Sequence, residues 1–233
     1  MKHKNYMVLI LVLMLTILTK STTVGAETSE ENEGEKLILI DPGHGGYDGG
    51  ADGNGVKEKN INLSISLLLK EELIKQGFDV MMTREKDEAL KLDTVKFKTH
   101  KAEDLAARCK IKSESNCDLF ISIHMNTYPE SQYSGGQVWY SRNPESRKLA
   151  DLIQRNFRKY IDDKNKRVAK PALDAFKMLR SVDTMPGVLV ECGFISNPEE
   201  AGKLNNKDYQ KSIAESITRA IMEYFENNKL PKG

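Results

Sequence analysis

The chain has 233 residues, 30% of them charged, with 35 lysines and arginines against 34 aspartates and glutamates and a formal net charge of +1. Residues 1–26 hold Lys2, Lys4 and Lys20 and no acid, so without them 32 basic residues face 34 acidic ones. A balance of −2 lacks the basic footprint that nucleic-acid binding requires, and three cysteines argue against a disulfide framework.

Lys2 and Lys4 precede an almost wholly apolar run from Met7 to Leu18, and Val24-Gly25-Ala26 follows with small residues. That order reads as a secretory signal peptide over residues 1–26, with an uncleaved N-terminal anchor as the alternative. The apolar run is shorter than the roughly 20 residues of a comfortable membrane span. Either way the rest of the chain is expected to work outside the cytoplasm. Residues 27–35 (ETSEENEGE) are acidic and free of apolar residues, so they read as a disordered spacer. The remaining residues, roughly 200, suit one ordinary α/β domain.

Within that domain, strands and helices alternate. Lys36–Ile40 (KLILI) is a short apolar run stopped by Asp41-Pro42-Gly43, the pattern of a buried strand. Ile61, Ile65, Leu68 and Leu69 recur at helical spacing within Lys57–Gln76, and Gly77 is a natural terminator. Phe78–Thr83 reads as a second strand. The charged stretch Glu85–Glu103 shows little periodicity, and connections of that length are usually functional or mobile. Asp104–Asn116 reads as a helix, Asp118–Ile123 as a third strand and Gly136–Tyr140 as a fourth. Glu145–Tyr160 is an amphipathic helix through Leu149, Leu152, Ile153 and Phe157. Ala175–Leu179 and Gly187–Val190 read as two more strands. A closing helix over Lys207–Asn227 carries Ile213, Ile217, Ile221 and Phe225 on one stripe. Several all-apolar strands alternating with helices predict a mostly parallel six-stranded sheet covered on both faces.

Four chemically able residues fall where strands end or helices begin: His44 in DPGHGG, Glu58, His124 in SIHMN and Glu191 in VECGF. The crevice of an open α/β sheet lies outside the carboxyl ends of its strands, so these residues are placed to converge. Two histidines and one glutamate suit Zn²⁺ with a coordination position left for water, and a second glutamate can move that water's proton. The set predicts a hydrolase. Cys192 neighbours Glu191 but points to the opposite face of a strand, so it reads as a buried thiol.

DPGHGG, a Glu opening the next helix, SIHMN and VECGFISN, in that order, resemble the zinc-dependent N-acetylmuramoyl-L-alanine amidases. The resemblance spans nearly all of residues 36–228 and is nearest to the CwlD-type, germination-specific members of spore-forming Firmicutes. It implies one catalytic domain over residues 36–229, built on a twisted six-stranded sheet, with a single zinc. By motif, His44, Glu58 and His124 would hold the zinc and Glu191 would be the general base. The substrate implied is peptidoglycan, cut between the lactyl group of muramic acid and L-alanine, in spore cortex on the way to muramic-δ-lactam. An accessory lipoprotein is an implied partner, since some clostridial members are thought to use one.

Each residue has a plainer reading. His44 fits a Gly-rich turn, and His124 a core position at a strand end. Glu58 suits the first turn of a helix and has Lys57 and Lys59 beside it. Glu191 would then be one half of a buried ion pair with Arg84 or Arg180. Asp41 is expected to orient the His44 loop or accept from an imidazole. Arg84 is a candidate for a stem-peptide carboxylate, and Asn126 and Asn197 for turns or caps. Gly45, Gly46, Gly49 and Gly50 are expected to form a flexible rim. Two rival functions share these residues: a zinc peptidase cutting a peptide bond in peptidoglycan, and a non-catalytic peptidoglycan-binding protein.

Overall fold

The computed structural model describes residues 35–92, 96–181 and 183–229; the expected signal or anchor of residues 1–26, and the spacer up to residue 34, lie outside them. Strand β1 (Leu37–Pro42) is followed by a two-residue hairpin, β2 (Asp52–Gly53) and β3 (Val56–Lys57), and then helix α1 (Glu58–Lys75). Gly77, at φ 84°, ends that helix as its sequence predicts, its N–H donating to the Ile74 carbonyl. Next come β4 (Asp79–Met82), α2 (His100–Glu114), β5 (Leu119–Asn126), β6 (Gln137–Tyr140) and α3 (Pro144–Tyr160). The chain closes with β7 (Lys170–Pro171), β8 (Gly187–Phe194), α4 (Pro198–Leu204) and α5 (Lys207–Lys229).

The sheet runs β4-β1-β5-β8-β6-β7. The pairs β4–β1, β1–β5 and β5–β8 are parallel, whereas β6 runs antiparallel to β8. Alternation sorts its two faces. Ile38 and Ile40 of β1, Ile121 and Ile123 of β5, and Val188, Val190 and Cys192 of β8 enter the main core. There they meet Ile65 and Leu69 of α1, Ile153 and Phe157 of α3, and Ile213 and Ile217 of α5. Leu39, Phe120 and Leu189 enter a smaller core on the other face, where Cys109 and Ile111 of α2 pack. Asp41, Ser122, His124 and Glu191 share the second face by the same alternation, because each lies two residues from one of its members or two residues further on.

Several expectations need correction: the helix read over Asp104–Asn116 spans His100–Glu114, and the third strand runs on past Ile123 to Asn126. Ala175–Leu179 is not a strand: Lys177–Leu179 form a single 3-10 turn, and Met178 and Leu179 cap the smaller core. Short apolar runs do not distinguish a strand from a buried turn, and the edge strand is Lys170–Pro171, paired with Trp139 and Tyr140. The last apolar strand does not stop at Val190 but continues through Glu191 to Phe194, buried throughout.

Candidate active site

After β1 the chain turns through three consecutive residues of positive φ, His44 (61°), Gly45 (140°) and Gly46 (57°). That turn sets the His44 ring edge-on to His124, with ring centroids 5.0 Å apart at an interplanar angle of 77°. Glu58, the first residue of α1, lies between the two imidazoles. Its Oε2 is 3.2 Å from His44 Nε2, and its Oε1 is 2.9 Å from His124 Nδ1. The backbone N–H of Ala51 donates to Oε2 at 2.9 Å and that of Met125 to Oε1 at 3.1 Å, so the carboxylate is held from both sides. Lys59, a rival partner by sequence, instead binds Asp87 and the Gly46 carbonyl, each at 2.7 Å.

Gly45, Gly46 and Gly50 sit in close fits, whereas Gly49 faces open space. A Cβ on Gly50, at φ 68°, would lie 2.6 Å from Glu58 Oε2 and 2.7 Å from His44 Cδ2. The hairpin β2–β3 and the start of α1 therefore approach His44 as closely as they do only because residue 50 lacks a side chain.

His44 also faces a second carboxylate: Asp48 Oδ2 is 2.9 Å from Nδ1. Burial alone would lower the pKa of this imidazole, but hydrogen bonding and charge from Glu58 and Asp48 raise it above its ordinary value. Burial pushes the Glu58 carboxyl the other way, and the two histidines override it, leaving Glu58 well below the usual carboxylate range. The geometry tests whether a metal ion suits this place. With Asp48 fixing the proton on Nδ1, the Nε2 lone pair of a neutral His44 points at a carboxylate oxygen. A second proton or a metal cation relieves that opposition. Donor atoms of His44, Glu58 and His124 all lie within 4.8 Å of one another, so the residues fit a divalent cation that prefers nitrogen and oxygen ligands.

Glu191 stands next to this cluster, its Cα paired in register with that of His124 across β5 and β8. It is 9% exposed, and its Oε2 is buried without a hydrogen-bond partner among the described residues. Burial, with the Glu58 charge adding to it and His124 and His44 opposing, pushes its carboxyl up to about 7. Neither arginine expected to neutralise it does so. Arg84 is buried and donates to the carbonyls of Pro42, Gly43, Lys59 and Lys86, which also removes it as a substrate contact. Arg180 donates to the Asp174 carbonyl.

Asp41 meets no imidazole. Its carboxylate accepts from Thr83 Oγ1 at 2.7 Å, Ser122 Oγ at 2.7 Å and Arg108 Nη1 at 2.6 Å. Arg108 also donates to Asp104 and to the carbonyls of Pro42 and His44. Asp41 thus does orient the His44 loop, through Arg108. Asn197 is a helix cap, accepting from the N–H groups of Glu199 and Glu200. Asp48 and Arg108 are the two residues that sequence reasoning did not single out. Asp48 lies four residues after His44, the one local signal that pointed to it.

A family model described as N-acetylmuramoyl-L-alanine amidase matches residues 38–223. The germination-specific N-acetylmuramoyl-L-alanine amidase of Bacillus subtilis is 38% identical over 192 residues, covering 82% of this chain and 80% of that protein. LytC of the same organism is 31% identical over 88% of this chain, which spans 38% of that longer protein. Among solved structures, the CwlD amidase of Clostridioides difficile in complex with the GerS lipoprotein aligns with a TM-score of 0.79 and 36% identity, covering 83% of this chain and 100% of that one. AmiC2 of Nostoc punctiforme aligns with a TM-score of 0.70 at 31% identity, over 83% of this chain and 98% of that one.

Proposed function

Because the chain belongs to the N-acetylmuramoyl-L-alanine amidase family, whose members hydrolyse peptidoglycan, we propose that it is a zinc amidase acting in spore cortex on the way to muramic-δ-lactam. Residues 36–229 are its catalytic domain, His44, Glu58 and His124 hold the zinc, and Glu191 is the general base. The observation that carries this reading is a pair of imidazoles on either side of one carboxylate, with a second, unpartnered carboxylate beside His124.

When bound, the zinc supplies Lewis acidity, which brings a water's pKa towards about 7 and polarises the carbonyl under attack. Glu191 takes the proton of the attacking water. It then gives that proton to the departing alanine nitrogen, because an amine leaves poorly unless protonated. Its burial favours the protonated form, which suits a group that must take up a proton before passing it on. Asp48 holds the His44 ring through Nδ1, which would leave Nε2, beside Glu58 Oε2, as the atom able to bind the zinc.

The germination-specific relative supports the cortex assignment, and the neighbour bound to a lipoprotein supports an accessory lipoprotein as partner. Export through a signal peptide over residues 1–26 belongs to the same reading. The test is digestion of purified cortex peptidoglycan by the wild-type protein and by Glu191→Gln, with mass spectrometry of the products and a zinc assay. Stem peptides beginning with free L-alanine are expected from the wild type. In the variant they fall by at least a thousandfold while bound zinc is unchanged. Cleavage within the stem peptide, or full activity in the variant, would refute the assignment.

A further inference from the structure

Beyond Glu191 the same sheet face opens into a cavity of about 360 Å³ lined by Asn126, Tyr128, Tyr133, Trp139, Arg167 and Phe194. Two features of the strands build it. Asn126 lies two residues past His124 on β5 and so faces the same way. The β5–β8 register then shifts, from His124 opposite Glu191 to Asn126 opposite Phe194, which places one extra residue in β8. That bulge re-aims Phe194, which alternation alone would have sent into the main core with Val190 and Cys192.

The lining is aromatic and cationic. The rings of Tyr128 and Tyr133 meet at 4.8 Å, 50% and 40% exposed, and Arg167 stacks its guanidinium 4.6 Å from the Phe194 ring centre. Arg167 Nε donates to the Ser134 carbonyl at 2.9 Å, whereas its two terminal nitrogens have no partner among the described residues. No acidic side chain lines the cavity. A flat, fixed guanidinium with its outer edge free, set among ring faces, matches a carboxylate carried on an aliphatic stem.

Peptidoglycan carries its free carboxylates on the stem peptide, since the lactyl carboxyl of the glycan is used in the amide that is cut. The strand order places the parts in sequence: His124 on β5, Glu191 on β8, Trp139 on β6. The group that protonates the departing nitrogen lies between the metal cluster and the cavity, so the peptide leaves on the cavity side. Two strand spacings are roughly 10 Å, about three residues of extended chain. Resting on the roles given above to His124 and Glu191, we propose that this cavity is the stem-peptide subsite. Arg167 binds a carboxylate of the second or third residue, and Tyr128, Tyr133 and Phe194 pack its aliphatic part.

Trp139 is the only tryptophan in the chain and lies in the cavity wall, so its fluorescence reports occupancy directly. The full chain is titrated with the tripeptide L-alanyl-γ-D-glutamyl-L-lysine, with the same peptide fully carboxamidated, and with the peptide-free disaccharide. A saturable change is expected with the free-acid peptide, and binding at least tenfold weaker with the other two. Arg167→Gln is expected to lose the same tenfold, and Arg167→Lys less, with unchanged circular dichroism in both. Wild-type affinity in Arg167→Gln, saturation by the disaccharide, or no tripeptide binding by fluorescence and calorimetry would each overturn the subsite. Release of peptides from peptidoglycan is assayed in parallel. Arg167-dependent binding with cleavage only inside the stem peptide leaves the subsite standing and removes the amidase reading; release of peptides beginning with free L-alanine without such binding does the reverse.

Discussion

Asp48 makes one contact that decides how His44 can act. Its carboxylate holds Nδ1 at 2.9 Å, fixing the ring's rotation and the face it offers to Glu58. Asp48→Asn keeps the shape but loses the charge and, in one amide orientation, the acceptor. Zinc affinity is expected to fall about 10–100-fold, the usual effect of removing such a partner; competition with a chelator measures it, and an unchanged constant would refute the role. Gly50→Ala is expected to be worse. The new methyl group meets both Glu58 and His44 at under 3 Å on a backbone at positive φ, so the same titration should find little bound metal. At this scale the sequence was legible where residue type carries chemistry. His44, Glu58, His124 and Glu191 stand in recognisable motifs, and the structure brings all four together. Asp48 was not legible, because an aspartate in a Gly-rich turn has ordinary turn chemistry as a sufficient explanation.

The contact between α2 and β1 hangs on Arg108. Apolar spacing marks this segment as a helix but gives no sign of its arginine, which is 2% exposed and joins Asp104 on the helix to Asp41 on the strand. Arg108→Met leaves Asp41 buried with only Thr83 and Ser122 and frees the His44 carbonyl, while that of Pro42 keeps Arg84 as its one side-chain donor. Breaking a buried pair from one side costs about 3–5 kcal/mol, so urea unfolding should show a loss of that order. A change under 1 kcal/mol would mean that the pair is dispensable. Such a pairing, between segments far apart in sequence, leaves no local pattern to read. Strand positions were legible from apolar runs, but strand ends were not. The apolar runs stop at Ile123 and Val190, whereas β5 and β8 continue through His124, Asn126 and Glu191 because the site is built on the strands themselves. The β8 bulge is equally silent, since an inserted residue shows only in pairing register.

For the whole molecule, acid sensitivity follows from the same buried aspartate. Burial opposes ionisation of Asp41, but Arg108, Ser122 and Thr83 outweigh it and hold its pKa below the ordinary 3.8. The folded value is depressed, so its contribution to stability is complete above the unfolded value and is lost as pH falls through the folded one. Unfolding free energy should therefore drop as pH falls below the ordinary 3.8 in the wild type and drop less in Asp41→Asn; parallel curves would remove Asp41 from the account. The sheet order has a kinetic consequence as well. Ile38 pairs with both Val80 and Leu119, and Phe120 with Gly187, so the central strands join only after long chain segments have closed. Non-local parallel pairing of this kind folds slowly, because loop entropy is lost before contacts compensate for it. His44 and Glu58 lie in the segment closed by Ile38 and Val80, and His124 in the one closed by Phe120 and Gly187. If these residues hold zinc as proposed, the unfolded chain has no high-affinity place for the ion, and metal uptake would be a late checkpoint that tightens the fold by mass action once the strands are in order.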